Sequence, residues 1–202
     1  MLPFLPTLPV EFHLTTSPLT TNELTGFEAL CQQVGGKALL IELARGQHCQ
    51  QPMLSLVKTD IDPAAALVAA KQLAEQFGDG GYPVLRLKLE VPAWGAARAR
   101  LAQFPAGSTY YEWHGRVKYE REAALRTWCE QHAVHLSINA LRHRPDIRFV
   151  TLREFGPVAQ FAARVATVRA GLAANGWCIT KQQAEFCFFD SRVSLDTGWL
   201  TA

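Results

Sequence analysis

The sequence predicts an α+β protein in which one series of elements, β-α-β-β-α-β, occurs twice along the chain. Apolar residues three and four positions apart indicate helices, and alternating apolar and polar residues between them indicate strands. Short patterns also repeat at similar spacing, since Glu11-Phe12-His13 is matched by Glu112-Trp113-His114 and Gly81-Tyr82 by Gly176-Trp177. We therefore expect a tandem duplication of a ferredoxin-like unit, in which two helices cover one face of an antiparallel sheet.

Four helices follow from their caps and from their apolar periodicity. Thr20 and Glu23 fit a capping box at the start of the first helix, and Asp62 before Pro63 fits an N-cap with proline in the first turn of the second. The third helix is expected to begin near Glu120. The fourth has the most regular spacing, with apolar residues at Val158, Phe161, Val165, Val168 and Leu172.

Eight strands are expected between and around these helices. They cover residues 10–16, 37–44, 53–59, 84–91, 110–119, 134–141, 147–154 and 179–189. The first ferredoxin-like repeat then spans residues 1–91, and the second spans residues 110–190. Residues 92–109, which are rich in Ala, Gly and Pro, form the predicted linker, and residues 191–202 form a short C-terminal tail.

Composition and charge exclude several classes of function. The chain of 202 residues is 49% apolar and 19% charged, which is typical of a globular protein with a sizeable core. Its 20 basic and 18 acidic side chains show no excess that would indicate a nucleic-acid partner. No apolar segment has the roughly 18 residues of a membrane helix, and the proline-rich N-terminus lacks the basic start of a signal peptide. Five cysteines, an odd number, do not suggest a disulfide framework, so we expect a cytoplasmic protein.

Polar side chains that share one face of the predicted sheets form the candidate site. Side chains alternate along a strand, so position parity separates an apolar face under the helices from a charged face. The charged face of the first repeat carries Glu11, His13, Arg86, Lys88 and Glu90, and that of the second carries Glu112, His114, Arg116, Lys181, Gln183 and Glu185. Eight of these residues are the candidate site: Glu11, His13, Arg86, Lys88, Glu112, His114, Arg116 and Lys181. Because the first and fourth strands are neighbours in a ferredoxin-like sheet, each set is expected to cluster.

We expect these charged faces to bind a small anionic or zwitterionic ligand in a cleft, with His114 at the centre of the site. Arg116 and Lys181 are suited to hold a carboxylate or phosphate, and Glu112 is suited to orient or charge His114. An antiparallel sheet often has a solvated polar face, so salt bridges in water are the simpler alternative. A third interpretation is an assembly module, without catalysis, whose sheet faces or edge strands build a homo-oligomer.

Two short motifs add a phosphoester-type hydrolase as a further alternative. His13-Leu14-Thr15 and His135-Leu136-Ser137 resemble the H-x-[ST] signature of two-histidine phosphoesterases, in which paired histidines act as general acid and base. The two motifs fall on non-equivalent strands of the repeats, and the symmetric partner of His13 is His114, which Gly115-Arg116 follows. Residues 112–118 also resemble the alternating charged strand of triphosphate-tunnel enzymes, with His114 in place of their second carboxylate.

The sequence predicts no metal and no cofactor. Cys129, His132 and His135 are three positions apart, but His135 lies beyond the end of the third helix, so one helical face cannot present all three. No CxxC, HExxH, P-loop or dinucleotide-binding glycine motif occurs in the chain.

A broader resemblance covers parts of the second half of the chain. Residues 111–114, 135–141 and 190–200 are similar to a group of microbial proteins with no assigned activity. This resemblance therefore implies no catalytic residue and no substrate.

Overall fold

The computed structural model describes residues 9–94, 109–118, 121–142, 144 and 146–199. Within them, eight strands and four helices follow in the order β1 (Val10–Thr16), α1 (Thr21–Gln33), β2 (Lys37–Leu43), β3 (Gln50–Lys58), α2 (Pro63–Asp79), β4 (Val84–Pro92), β5 (Tyr110–Lys118), α3 (Glu122–Gln131), β6 (His135–Asn139), β7 (Ile147–Glu154), α4 (Val158–Ala174) and β8 (Cys178–Asp190). Two 3-10 turns, Ala140–Arg142 and Val193–Asp196, follow β6 and β8. Residues 1–8 of the predicted first repeat, most of the predicted linker, at 95–108, the predicted helix start at Glu120, and residues 200–202 of the predicted tail lie outside the described residues.

The helices form where their caps predict them. Thr20 and Glu23 make the expected capping box, and Asp62 accepts hydrogen bonds from two backbone N–H groups in the first turn of α2, at 2.9 and 3.0 Å. Four of the five residues in the apolar stripe of α4 are buried, and Val158, at its start, is partly buried. β6 is shorter than predicted because the Asn139 side chain accepts a hydrogen bond from the N–H of Leu141 at 3.2 Å, which stabilises a 3-10 turn in place of further strand.

The strands form one closed antiparallel barrel in the order β1-β3-β2-β6-β7-β5-β8-β4, with β4 pairing back to β1. The prediction of two tandem ferredoxin-like sheets, each with helices on one face and the other face open, is therefore wrong. β2 pairs with β6 from Ile41–Asn139 to Leu43–Ser137, and β4 pairs with β8 from Lys88–Asp190 to Pro92–Glu185. These two junctions satisfy backbone groups that separate sheets would leave unpaired at their edges.

The helices pack on the outer face of the barrel and form two apolar clusters with it. One cluster contains Phe12, Leu14, Phe27, Leu54 and Phe77, and the other contains Trp113, Leu125, Val150, Phe161 and Leu172. Because successive side chains of a strand alternate, the residues between these apolar strand positions point into the barrel. None of the helices in the described part of the chain is long and apolar enough to cross a membrane.

Candidate functional site

The barrel interior holds a continuous set of polar side chains from both halves of the chain. We call this set the interior network: Glu11, His13, Ser55, Arg86, Lys88, Glu90, Tyr110, Glu112, His114, Arg153, Gln183, Glu185, Asp190 and Asp196. Closure of the barrel brings the two charged faces that strand alternation predicts toward each other. The network contains more carboxyl groups than arginine and lysine side chains.

The C-terminal segment closes one end of the interior network. Asp196, from the 3-10 turn after β8, contacts Nη1 of Arg86 at 2.9 Å and Nη2 of Arg153 at 2.7 Å. Arg86 also donates two hydrogen bonds to the carboxylate of Asp190, at 2.9 and 2.5 Å, and the Tyr110 hydroxyl donates another at 2.6 Å. Burial favours the neutral form of Asp190, but the hydrogen bond and charge of Arg86 hold its pKa below the ordinary value. We call this region the closed end.

Lys88 and Glu112 connect the two halves of the chain in the middle of the network. Nζ of Lys88 lies 2.5 Å from Glu112 Oε2 and 2.9 Å from Glu90 Oε1, and Nε of Arg153 donates to Glu112 Oε1 at 2.8 Å. Burial opposes the charged form of Glu112, yet Arg153 and Lys88 hold its pKa well below the ordinary value. Burial likewise opposes the charge of Lys88, and Glu112 and Glu90 outweigh it and raise the pKa of Lys88. These side chains are therefore charged at neutral pH.

Solvent reaches the other end of the network, which we call the accessible end. It consists of Glu11, His13, His114, Gln183 and Glu185. The His114 side chain is 30% exposed and the Glu11 side chain 20%, whereas Arg86 at the closed end is only 5% exposed. A solute from the surrounding water therefore meets this end of the network first.

Glu11 and Glu185 form a carboxyl pair at the accessible end. Nε2 of Gln183 donates to Oε2 of Glu11 at 3.1 Å and to Oε1 of Glu185 at 2.6 Å. Burial, together with the charges of Glu90 and Glu11, raises the pKa of Glu185 to about 10. Burial also favours the neutral form of Glu11, but His13 and hydrogen bonds with Glu185 and Ser55 hold its pKa below the ordinary value. At neutral pH the pair therefore holds one proton, on Glu185.

Each histidine of the accessible end lies beside two carboxyl groups. Nε2 of His13 is 3.4 Å from Glu11 and 3.1 Å from Glu90, and Nε2 of His114 is 3.4 Å from Glu112 and 3.8 Å from Glu185. His114 also contacts Thr151 Oγ1 through Nδ1, at 3.0 Å. Nε2 of each imidazole is therefore placed to donate to one of two carboxyl groups.

The two H-x-[ST] motifs are in different surroundings. His13 belongs to the accessible end, whereas Nδ1 of His135 lies 3.4 Å from Nη2 of Arg45, and the His135 ring packs against Trp199. Burial, followed by the positive charge of Arg45, lowers the pKa of His135 to about 4. His135 is thus a neutral structural residue beside the C-terminal segment.

Of the eight predicted site residues, the interior network contains Glu11, His13, Arg86, Lys88, Glu112 and His114. The other two lie outside it. Nε of Arg116 donates to the Thr180 hydroxyl at 3.2 Å, and Lys181 is exposed, although the two basic residues are in register on β5 and β8. Arg116 and Lys181 therefore lie along the strands beside His114 and Gln183, at the rim of the accessible end.

The eight candidate site residues leave out several members of the network. Strand parity places Glu90, Gln183 and Glu185 on the predicted charged faces, and all three belong to the network. No comparable signal exists for Asp196, which lies in a short turn and reaches the barrel through the path of the C-terminal segment. Tertiary contacts of this kind are set by the chain path and not by local periodicity.

Two other kinds of candidate site can be compared with the interior network: metal-binding clusters and surface grooves. Among the described residues, no group of three or more His, Cys, Asp or Glu side chains is arranged to hold a metal ion. Two open grooves of about 670 and 450 Å³ lie on the helical side of the barrel, and Trp177 borders both. The larger groove is lined by three alanines and Arg169 of α4 and by residues 176–179, which together offer few polar groups, so we place the candidate site in the interior network instead.

In the part of the chain that the structure describes, these features define a closed eight-stranded antiparallel barrel with four helices on its outer face and a charged interior. No protein family model matches the chain, and no curated protein matches it either. The chain is similar to a solved crystal structure of a "putative monooxygenase" from Lactobacillus acidophilus NCFM, with 9% sequence identity and a TM-score of 0.34. The alignment covers 96% of this chain and 100% of that one. A likeness at this level carries no argument about function.

Proposed function

We propose that the protein binds a small zwitterionic ligand at the accessible end of the interior network. The observation that carries this proposal is the meeting of charged side chains from both halves inside one barrel, with Glu11, His114 and Gln183 open to solvent. Fixed charges that are largely withdrawn from water act on a ligand more strongly than charges on an open surface do.

The pairing of the basic side chains favours a ligand with both charges over a simple anion. Arg86, Lys88 and Arg153 each contact two carboxylates of the protein, so their positive charges are already matched. Arg116 and Lys181 lie one alternation, roughly 7 Å along the strand, beyond the accessible end and suit a carboxylate or phosphate. The carboxyl groups inside suit the positive group of the same ligand.

Thermal unfolding with a panel of small solutes tests this function. The panel contains glycine, 4-aminobutyrate, ethanolamine, acetate and phosphate, and the proteins are the wild type and the double variant His114→Ala/Arg116→Ala. Arg126→Ala, which removes an exposed arginine of α3, is the matched control. We expect a zwitterion to raise the Tm of the wild type and of the control more than that of the double variant. If neither glycine nor 4-aminobutyrate does so, the proposal is wrong.

A hydrolase with paired histidines is the second candidate, and one observation favours it. His13 and His114 both belong to the accessible end, and each lies beside a member of the Glu11–Glu185 pair. The excess of carboxyl groups would repel a phosphoester anion, so this candidate ranks below binding of a zwitterion. Hydrolysis of bis(4-nitrophenyl) phosphate that is lost in His13→Ala and in His114→Ala would reverse this order.

An assembly module that uses its polar sheet faces receives less support, because those faces lie inside one barrel. A cytoplasmic location is part of the proposal as well. It is supported by the five cysteines, all of which carry free thiols, and thiols stay reduced in the cytosol.

A further inference from the structure

The accessible half of the interior network has more negative than positive groups. Glu11, Glu90, Glu112 and Glu185 surround a single lysine, Lys88, and the nearby Arg153 is shared with Asp196 of the closed end. Carboxylates that are withdrawn from water must be offset by cations, by protons or by hydrogen-bond donors. The bridging amide of Gln183 and one proton on the Glu11–Glu185 pair supply part of this compensation.

Glu90 provides a separate sign that a hydrogen-bond donor is missing here. Its side chain is 0% exposed, and neither carboxylate oxygen receives a hydrogen bond, although Lys88 Nζ and His13 Nε2 lie at ion-pair distances of 2.9 and 3.1 Å. Nδ1 of His13 is buried without a partner as well. Glu90 is paired in register with Glu11, so these unsatisfied atoms lie next to the carboxyl pair. Buried polar atoms in proteins ordinarily have hydrogen-bond partners.

We propose that the accessible end binds an ammonium group between Glu11 and Glu185, and that Glu185 releases its proton to solvent when the ammonium group binds. The O–H bond of Glu185 breaks, the proton passes to bulk water, and N–H groups of the ligand become donors to both carboxylates. The net charge of the site is unchanged, because one positive charge enters as one proton leaves. This inference rests on the proposed function for the place of binding and adds the chemical group that is recognised.

The groups that face Glu185 define the pH range in which this exchange is measurable. They are Glu11 and His13 of β1, Ser55 of β3, Lys88 and Glu90 of β4, Glu112 and His114 of β5, and Gln183 of its own strand. Measurements from about pH 7.5 to about pH 9 lie above the ordinary pKa of a free histidine side chain, about 6.5, and below the pKa of Glu185, about 10.

Isothermal titration calorimetry of the full chain with ethanolamine tests the exchange. Because one proton leaves per ligand, we expect the association constant to rise about tenfold per pH unit over this range. Titrations in buffers with different ionisation enthalpies should show release of one proton per ethanolamine. Glu185→Gln keeps the size of the side chain but has no proton to release, so its affinity should lose the pH dependence. Glu75→Gln, on the exposed face of α2, is the matched control and should behave as the wild type does.

The possible results of these titrations separate a failure of the inference from a failure of the proposed function. Ethanolamine binding without proton release, or an unchanged pH dependence in Glu185→Gln, overturns the inference. If glycine or 4-aminobutyrate binds and ethanolamine does not, the inference is wrong and the proposed function remains. If no compound of the panel binds, both fall. Circular dichroism of Glu185→Gln separates a loss of binding from a loss of folding, and Glu11→Gln, which removes the other carboxylate, should weaken ethanolamine binding independently.

Discussion

Replacement of Lys88 by methionine is the sharpest test of the interior network. Methionine keeps most of the length of the side chain but removes the charge that lies 2.9 Å from Glu90 and 2.5 Å from Glu112. Glu112 keeps its ion pair with Arg153, whereas Glu90, which is fully buried, keeps only His13. Removal of one partner from a buried ion pair costs about 3–5 kcal/mol. We expect Lys88→Met to lose stability by about this amount.

The assay is urea and thermal unfolding at neutral pH. For a chain of this size each kcal/mol corresponds to about 2–4 °C in Tm, so the expected decrease is about 6–20 °C. The double variant Lys88→Met/Glu90→Gln should recover part of the loss, because an amide at position 90 carries no charge to be compensated. Lys71→Met, at an exposed position of α2, controls for the added apolar surface. A loss below about 1 kcal/mol, the size typical of exposed pairs, would refute a buried network.

Three further predictions concern the barrel wall, the closed end and pH. Gly115→Ala places a methyl group against the ring of Trp113 and should destabilise the protein by about 1–3 kcal/mol. Gly78→Ala, which has open space around the new methyl group, should not destabilise it. Equal Tm values for the two variants would contradict this packing. Asp196→Asn removes the carboxylate shared by Arg86 and Arg153 and should lower the Tm by several degrees. An unchanged Tm would show that the C-terminal turn does not close the barrel. His135 has its pKa lowered to about 4 from 6.5, so its neutral form stabilises the fold above about pH 6.5 and this contribution is lost as the pH falls toward 4. His135→Gln should therefore show a smaller loss of stability across that interval than the wild type does.

Strand alternation predicted which side chains of several strands point into the barrel, because alternation depends only on neighbouring residues of one strand. In β1, β4 and β5 the apolar positions are separated cleanly from the charged ones, so the inward residues could be named before the fold was known. In β7 apolar residues occupy both parities, and alternation does not show that Arg153 points inward. Strand periodicity also cannot show which edges pair, since β2 meets β6 through residues almost a hundred positions apart. The error in fold class has this origin.

The two ends of the interior network differ in how well their charges are matched. At the closed end two aspartates face two arginines, every group has a partner, and side-chain exposure is at most 6%. Such a set fixes the position of the C-terminal turn, although an apolar set of the same volume would stabilise a barrel as well or better. At the accessible end carboxyl groups outnumber cations. The carboxyl group of Glu185 is protonated because burial and the negative charges of Glu90 and Glu11 raise its pKa. That proton stabilises the folded state at low pH and its loss destabilises the fold as the pH rises through the raised pKa of Glu185. A bound cation would offset the same charge without this cost, which is the physical reason to expect a ligand at the accessible end and none at the closed end.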